Sequence, residues 1–151
     1  MTDNLNTVLV SQAVEALLKA DPSFSSKVKH IERAAPVNID PDYCPWVGVY
    51  KGTSQYVPRT MGHHSTTWQL TVTPRVVLQV WAAKGHEAED ELEELVQLVV
   101  GLMFRNFTLN DTVSMVVGCS VDYGFIESDR TTAFLQMASV TVTAEVPTGV
   151  A

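Results

Sequence analysis

The chain has 151 residues, with 10 Lys and Arg against 17 Asp and Glu, which gives a formal net charge of −7 with histidine neutral. Hydrophobic residues make up 46% of the sequence, which excludes a disordered linker and predicts a single domain over residues 1–151. The acidic balance argues against a general nucleic-acid binder, which needs surplus cations, and no apolar run approaches the roughly 18 residues of a membrane span.

The first helix is predicted over residues 4–20, because apolar side chains recur there at three- and four-residue steps. The predicted stripe comprises Leu5, Val8, Leu9, Ala13, Ala16 and Leu17. A short strand is predicted over residues 27–33. Residues 46–50, rich in aromatic and β-branched side chains, predict the next strand.

A long loop is predicted over residues 51–66. This segment holds turn-forming residues, including Gly52, Pro58 and Gly62, and the adjacent pair His63-His64. A connection of this length is uncommon in a compact domain and is usually functional or mobile. We therefore expect it to contribute to the protein's function.

Two strands are predicted on either side of Pro74, over residues 68–73 and 76–83. The second is apolar on both faces, as expected of a central strand that a helix covers. A helix follows over residues 87–105, with apolar residues at helical spacing, namely Leu92, Leu95, Val96, Val99, Leu102 and Met103. Acids crowd its first two turns, where the helix dipole favours each by about 0.3–1 kcal/mol.

The last two strands are predicted over residues 113–121 and residues 131–146. In the final strand the alternating apolar residues change from odd-numbered to even-numbered positions. This change predicts a β-bulge near Ala138-Ser139. Residues 147–151, which begin with a proline, are expected to be loose. The whole order predicts an α+β fold, in which a small mixed or antiparallel sheet of four to five strands carries two main helices on one face.

The two cysteines, Cys44 and Cys119, are predicted to be buried small hydrophobic side chains rather than a disulfide or a reactive thiol. The first residues of the sequence lack the basic stretch and the cleavage site of a secretory signal. Folding in a reducing cytoplasm is therefore expected.

No catalytic, cofactor or metal site is predicted. The glycine at position 85 precedes a block of acids that would repel phosphate, and adjacent histidines on an extended chain point to opposite faces. Two other interpretations stay open. One is a metal-assisted hydrolase that uses His63, His64, His86 and the carboxylates of residues 87–94, and the other is a small-molecule binding module with Trp46, Trp68 and Trp81 around a pocket.

The order of these elements resembles the tail terminator proteins of long-tailed bacteriophages, also called tail-completion or minor tail proteins. The similarity covers nearly the whole chain. It comprises the amphipathic first helix, the Pro-rich segment before Trp46–Tyr50, the long loop, the strand Arg75–Trp81, the acidic helix start at residues 87–95, Asp122-Tyr123-Gly124, and the final strand at residues 139–145.

This resemblance implies a non-enzymatic homohexameric ring at the head-proximal end of the phage tail, assembled in the host cytoplasm. Its partners would be the major tail tube protein and the head–tail connector or neck proteins, with genome DNA passing through the lumen and no membrane. The expected interface residues are Tyr56, Arg59, His63, His64 and Trp68, and the expected lumen or ring-face charges are Glu87, Glu89 and Asp90. A neck protein of similar fold is the alternative in the same class.

Overall fold

Three helices and five strands make up the described part of the fold. The computed structural model describes residues 7–34, 41–61, 66–82, 85–127 and 134–150. The elements are α1 (Thr7–Ala20), α2 (Pro22–Ser25), β1 (His30–Glu32), a single 3₁₀ turn (Pro41–Tyr43), β2 (Trp46–Met61), β3 (Thr66–Ala82), α3 (Gly85–Arg105), β4 (Met115–Glu127) and β5 (Phe134–Val150).

The five strands form one sheet in the order β1-β2-β3-β5-β4. β1 runs parallel to β2, and every other neighbouring pair is antiparallel. α1 and α3 pack on the same face of this sheet and enclose the main hydrophobic core. This arrangement confirms the predicted α+β fold with a mixed sheet and two main helices on one face.

The long helix α3 matches its sequence pattern closely. All six residues of its predicted apolar stripe are buried, and the acids of its first two turns are exposed. Two of these acids contact neighbouring elements: Glu94 forms an ion pair with Lys27, and Glu93 accepts a hydrogen bond of 2.7 Å from the hydroxyl of Tyr123. The helix is thereby tied to the turn after α2 and to β4.

The buried face of α1 differs from the predicted one. Val8 and Leu9 are each 37% exposed and Ala16 is exposed, whereas Val14 and Leu18 are fully buried. Small and apolar residues occur on nearly every side of this helix, so the sequence pattern does not select one orientation. The packing against β2 and α3 selects it instead.

The prediction of a loop over residues 51–66 is wrong. β2 continues to Met61 and pairs with β3 in antiparallel register, with Met61 opposite Thr66, and residues 62–65 lie outside the described residues. The turn-forming residues are accommodated by two irregularities in β2, between Tyr50 and Thr53 and between Pro58 and Thr60. A proline is tolerated at such a bulge on a strand whose other edge is open.

Pro74 does not divide β3 into two strands. A bulge of β2 lies opposite Pro74, since Tyr50 pairs with Arg75 and Thr53 with Thr73. Two residues of β2 therefore face this one residue of β3. A proline is tolerated in a strand opposite a bulge of this kind. The expectation of a loose end over residues 147–151 is also wrong as far as residue 150, because β5 pairs with β3 up to Val150.

The predicted bulge near Ala138-Ser139 does not occur. Ala138 pairs with Leu78 and Ser139 with Val77 without any shift, and the irregularity of β5 falls opposite Trp68 to Leu70. The alternation of apolar residues changes at this point because Met137 points to the face of the sheet that the helices do not cover. There it packs against a second, smaller cluster of Cys44, Trp46, Val77 and Trp81.

Candidate assembly surface

The β2 strand leaves the hydrophobic core toward the end of the β2–β3 hairpin. Residues 53–58 of β2 are all exposed, although successive side chains of a strand point to opposite faces. Tyr56 is 53% exposed and Val57, on the other face, is 44% exposed. We call β2 from Thr53 to Met61, with β3 from Thr66 to Thr73, the hairpin arm. On its β2 strand both faces are available along the described side chains, whereas Leu70 and Val72 of its β3 strand are buried in the main core.

Three of the five predicted interface residues lie on the strands of this hairpin arm. Tyr56 is exposed on it. The backbones of Arg59 and Trp68 lie in β2 and β3, while their side chains fall outside the described part of the chain. His63 and His64 lie outside the described residues. The part of the predicted loop that the structure describes is thus a strand paired with β3.

A bulge of β2 joins the hairpin arm to the rest of the sheet. The Thr53 amide donates to the Thr73 hydroxyl at 2.8 Å, and that hydroxyl donates to the Thr53 carbonyl at 3.0 Å. Gly52 lies beside this pair, and a Cβ built on it would be 2.1 Å from the Thr73 carbonyl oxygen. Only glycine fits this close approach of two backbones.

The two lateral edges of the sheet are open. Among the described residues, no strand pairs with the outer edge of β4 or with β2 beyond Gly48. β4 is 13 residues long and carries no lysine or proline that would discourage pairing. Met115 and Val117 near its start are each 47% exposed. A monomer would normally protect edges of this kind.

The predicted ring-face charges lie at the other end of the molecule. Glu87, Glu89 and Asp90 are exposed on the first turns of α3. The hydrogen bond from Tyr123 to Glu93 places these turns beside β4. Tyr123 pairs with Ala138, which in turn pairs with Leu78 of β3, whereas Tyr56 pairs with Leu70 of β3. Tyr123 and Tyr56 are therefore level with positions eight residues apart on β3, roughly 27 Å at 3.4 Å per residue. The structure does not bring the two predicted sets together.

The carboxylates on α3 influence one another. Partial desolvation raises the pKa of Glu91, and the neighbouring Glu94 carboxylate raises it further, while the Lys27 ammonium opposes both. Tyr123 also has a raised pKa, chiefly because its hydroxyl donates to Glu93, with desolvation and the charge of Glu93 adding to the effect.

Replacing Glu93 with glutamine is expected to lower the pKa of Tyr123. The raised value means that the folded state holds the phenol proton more tightly than the unfolded chain does. The hydrogen bond therefore stabilises the fold below a pH of about 10 and is lost as the pH rises through the higher folded value. Because Tyr123 is 56% exposed, its contribution is below about 1 kcal/mol. Phenolate absorbance measured from pH 8 to 12 tests this. Identical titration curves for the original protein and the Glu93→Gln variant, with Tyr123→Phe identifying the signal, would contradict it.

A groove lies between α1 and β2, at the point where β1 ends. Its volume is about 300 Å³. It is lined by Val8, Ser11, Arg33, Ala34, Val49, Tyr50 and Lys51. The sequence analysis did not identify it, because its residues come from three separate elements. Only the exposed side of α1 could have indicated it.

The potential metal-ligating, thiol and indole side chains of the described residues are spread over the structure. Within the described ranges, no group of three or more His, Cys, Asp or Glu side chains is arranged to hold a metal ion. Cys44 is buried and Cys119 is half-buried, both as free thiols, and burial raises the pKa of Cys119. Trp46 and Trp81 pack in the smaller hydrophobic cluster rather than around a pocket. None of the helices in the described ranges is long and apolar enough to cross a membrane.

Comparison with known proteins finds distant structural similarities. No protein-family profile matches the chain, and no curated protein sequence matches it. Among solved structures, a chain of the virion of the native gene transfer agent particle aligns with 89% of this chain and 93% of its own length, at 10% identity and a TM-score of 0.43. A TM-score this low does not establish a common fold, so no residue role is carried over.

Proposed function

We propose that this protein is a non-enzymatic structural subunit of a phage-like virion, and that its copies associate side by side into a ring. The observation that carries the proposal is the pair of open strand edges on opposite sides of the sheet. When one side of a subunit binds the opposite side of the next subunit, repetition of this contact generates a closed ring or a helical filament.

Strand directions favour such an association. β2 and β4 run in opposite directions, since β3 and β5 lie between them in an antiparallel series. When β4 of one copy lies beside β2 of the next, the sheet continues as an antiparallel pair, whose backbone hydrogen bonds need no particular side chains. The β2 strand of the hairpin arm, whose side chains from Thr53 to Pro58 are exposed, then lies beside the neighbour.

The specific role in this proposal is that of the tail terminator. The ring is a homohexamer at the head-proximal end of the tail, with one face on the major tail tube protein and the other on the connector or neck proteins. The net charge of −7 suits a lumen through which DNA passes without being held. Electron microscopy of tail tubes incubated with the protein tests this role. Rings at one end of each tube are expected, whereas bare tube ends together with normal tube growth would contradict it.

Charges placed on the hairpin arm are expected to block assembly without unfolding the subunit. Tyr56→Glu with Val57→Lys changes two exposed side chains, so the free energy of unfolding should change by less than about 0.5 kcal/mol per site. If the arm contacts a neighbour, charges without partners there should weaken self-association by about tenfold or more. Sedimentation velocity measures this effect.

Phe104 provides a matched control for the arm variant. It is 50% exposed, but it lies in the last turn of α3. The Phe104→Glu variant should assemble as the original chain does. Equal assembly of the arm variant and the original chain would exclude a role for the hairpin arm.

A further inference from the structure

The groove between α1 and β2 has the chemistry of an anion-binding site. Arg33 and Lys51 line it, and neither forms an ion pair within the described part of the chain. No described residue that lines it is acidic. A smaller cavity beside it shares Ser11 and Lys51 and adds the threonines of the bulge, Thr53 and Thr73. In a protein with a net charge of −7, this is a local cationic region.

A buried hydroxyl group marks the same groove. Ser11 is only 5% exposed, and its Oγ has no hydrogen-bond partner among the described residues. A buried hydroxyl without a partner is costly and rare, so this group has a free hydrogen-bonding capacity that a water molecule or an incoming polar group can use. Val8 and Val49 add apolar surface beside it. The site is therefore suited to a carboxylate on a short aliphatic stem.

The protein itself carries unpaired carboxylates on its opposite side. Glu93 and Glu94 are engaged by Tyr123 and Lys27 within the subunit. Glu87, Glu89 and Asp90 are exposed and form no ion pair or side-chain hydrogen bond with the described residues. They lie at the start of α3, which packs over β3 and β5 and is tied to β4 by the hydrogen bond between Tyr123 and Glu93, whereas the groove lies beside β2.

We propose that the groove receives acidic side chains from the start of α3 of a second copy of the chain. The inference rests on the proposed self-association and names its charged contact. A carboxylate of Glu87, Glu89 or Asp90 accepts hydrogen bonds from Arg33 and Lys51, and the Ser11 hydroxyl is available to the same group. The contact lies where β1 ends and the open edge of β2 begins. It therefore adjoins the strand edge that the neighbour would occupy.

Two charge-reversal variants test this contact. The groove variant carries Arg33→Glu and Lys51→Glu, and the helix variant carries Glu87→Lys, Glu89→Lys and Asp90→Lys. Each alone places like charges together in every contact between copies, so the association constant should fall by about tenfold or more. An equimolar mixture should regain full assembly, because groove and helix variants can alternate. A closed ring of alternating variants has an even number of subunits.

The measurement is native mass spectrometry of each variant and of the mixture, with sedimentation at rising salt to follow screening. Lys19→Glu, on the exposed last turn of α1, is the matched control for charge and should assemble normally. Unchanged assembly of both reversal variants, or failure of the mixture to recover, would overturn the contact while leaving the proposed ring intact. An original chain that never associates would instead contradict the proposed function.

Discussion

Replacing Trp46 with alanine is expected to lower the free energy of unfolding by about 3–5 kcal/mol, a large share of the stability of a domain of this size. Trp46 is 1% exposed, and its indole N–H donates to a Glu32 carboxylate oxygen at 2.6 Å. Its ring covers Gly48, where an added Cβ would lie only 2.3 Å from the ring. The side chain thus holds β1 against β2, and its loss leaves a cavity on the helix-free face.

Urea unfolding at a concentration where the chain is monomeric measures this effect. The Trp46→Phe variant keeps most of the packing and loses the hydrogen bond to Glu32, so its loss of stability should be smaller. A change below about 1 kcal/mol for Trp46→Ala, as is usual for surface positions, would contradict the described packing.

Replacing Gly52 with alanine is expected to lower the free energy of unfolding by about 1–3 kcal/mol. The new Cβ would be 2.1 Å from the Thr73 carbonyl oxygen, which belongs to the backbone and cannot rotate away. β2 and β3 must separate at the bulge, which breaks the threonine hydrogen bonds at the base of the hairpin arm. A reoriented arm should also weaken assembly.

Gly118 is the matched control, because it too lies at a strand irregularity, in β4, and a Cβ on it meets nothing within 4 Å. Gly118→Ala should be neutral or stabilising by up to about 1 kcal/mol. Unfolding curves of the two variants, recorded side by side, separate the local clash from the general effect of replacing a glycine. Equal stabilities would contradict the close approach at Gly52.

The sequence correctly predicts those elements whose apolar and polar residues are compatible with a single orientation. In α3 the apolar stripe, the acidic first turns and the polar remainder all favour the same orientation, and the structure confirms it. In α1 the apolar pattern is compatible with several orientations of the helix, and tertiary packing selects one of them. The sequence pattern therefore predicts that Val8 and Leu9 are buried, whereas both are exposed in the structure.

Strand bulges explain the other errors. Gly52, Pro58, Pro74 and Pro147 are turn signals in a sequence, yet each lies at or opposite a register irregularity of a continuous ladder. Whether a proline interrupts a strand or occupies a bulge depends on the partner strand, which the local sequence does not specify. The groove around Ser11, Arg33 and Lys51 depends on the same long-range pairing.

The mass of the protein in solution tests the central proposal most directly. Sedimentation equilibrium over a wide concentration range is expected to show association of the 16.6 kDa chain into one closed species, six times that mass for a hexamer. Electron micrographs of that species should show a ring with a central hole. A single species of 16.6 kDa at every concentration, with or without tail tubes present, would contradict side-by-side assembly through the open strand edges.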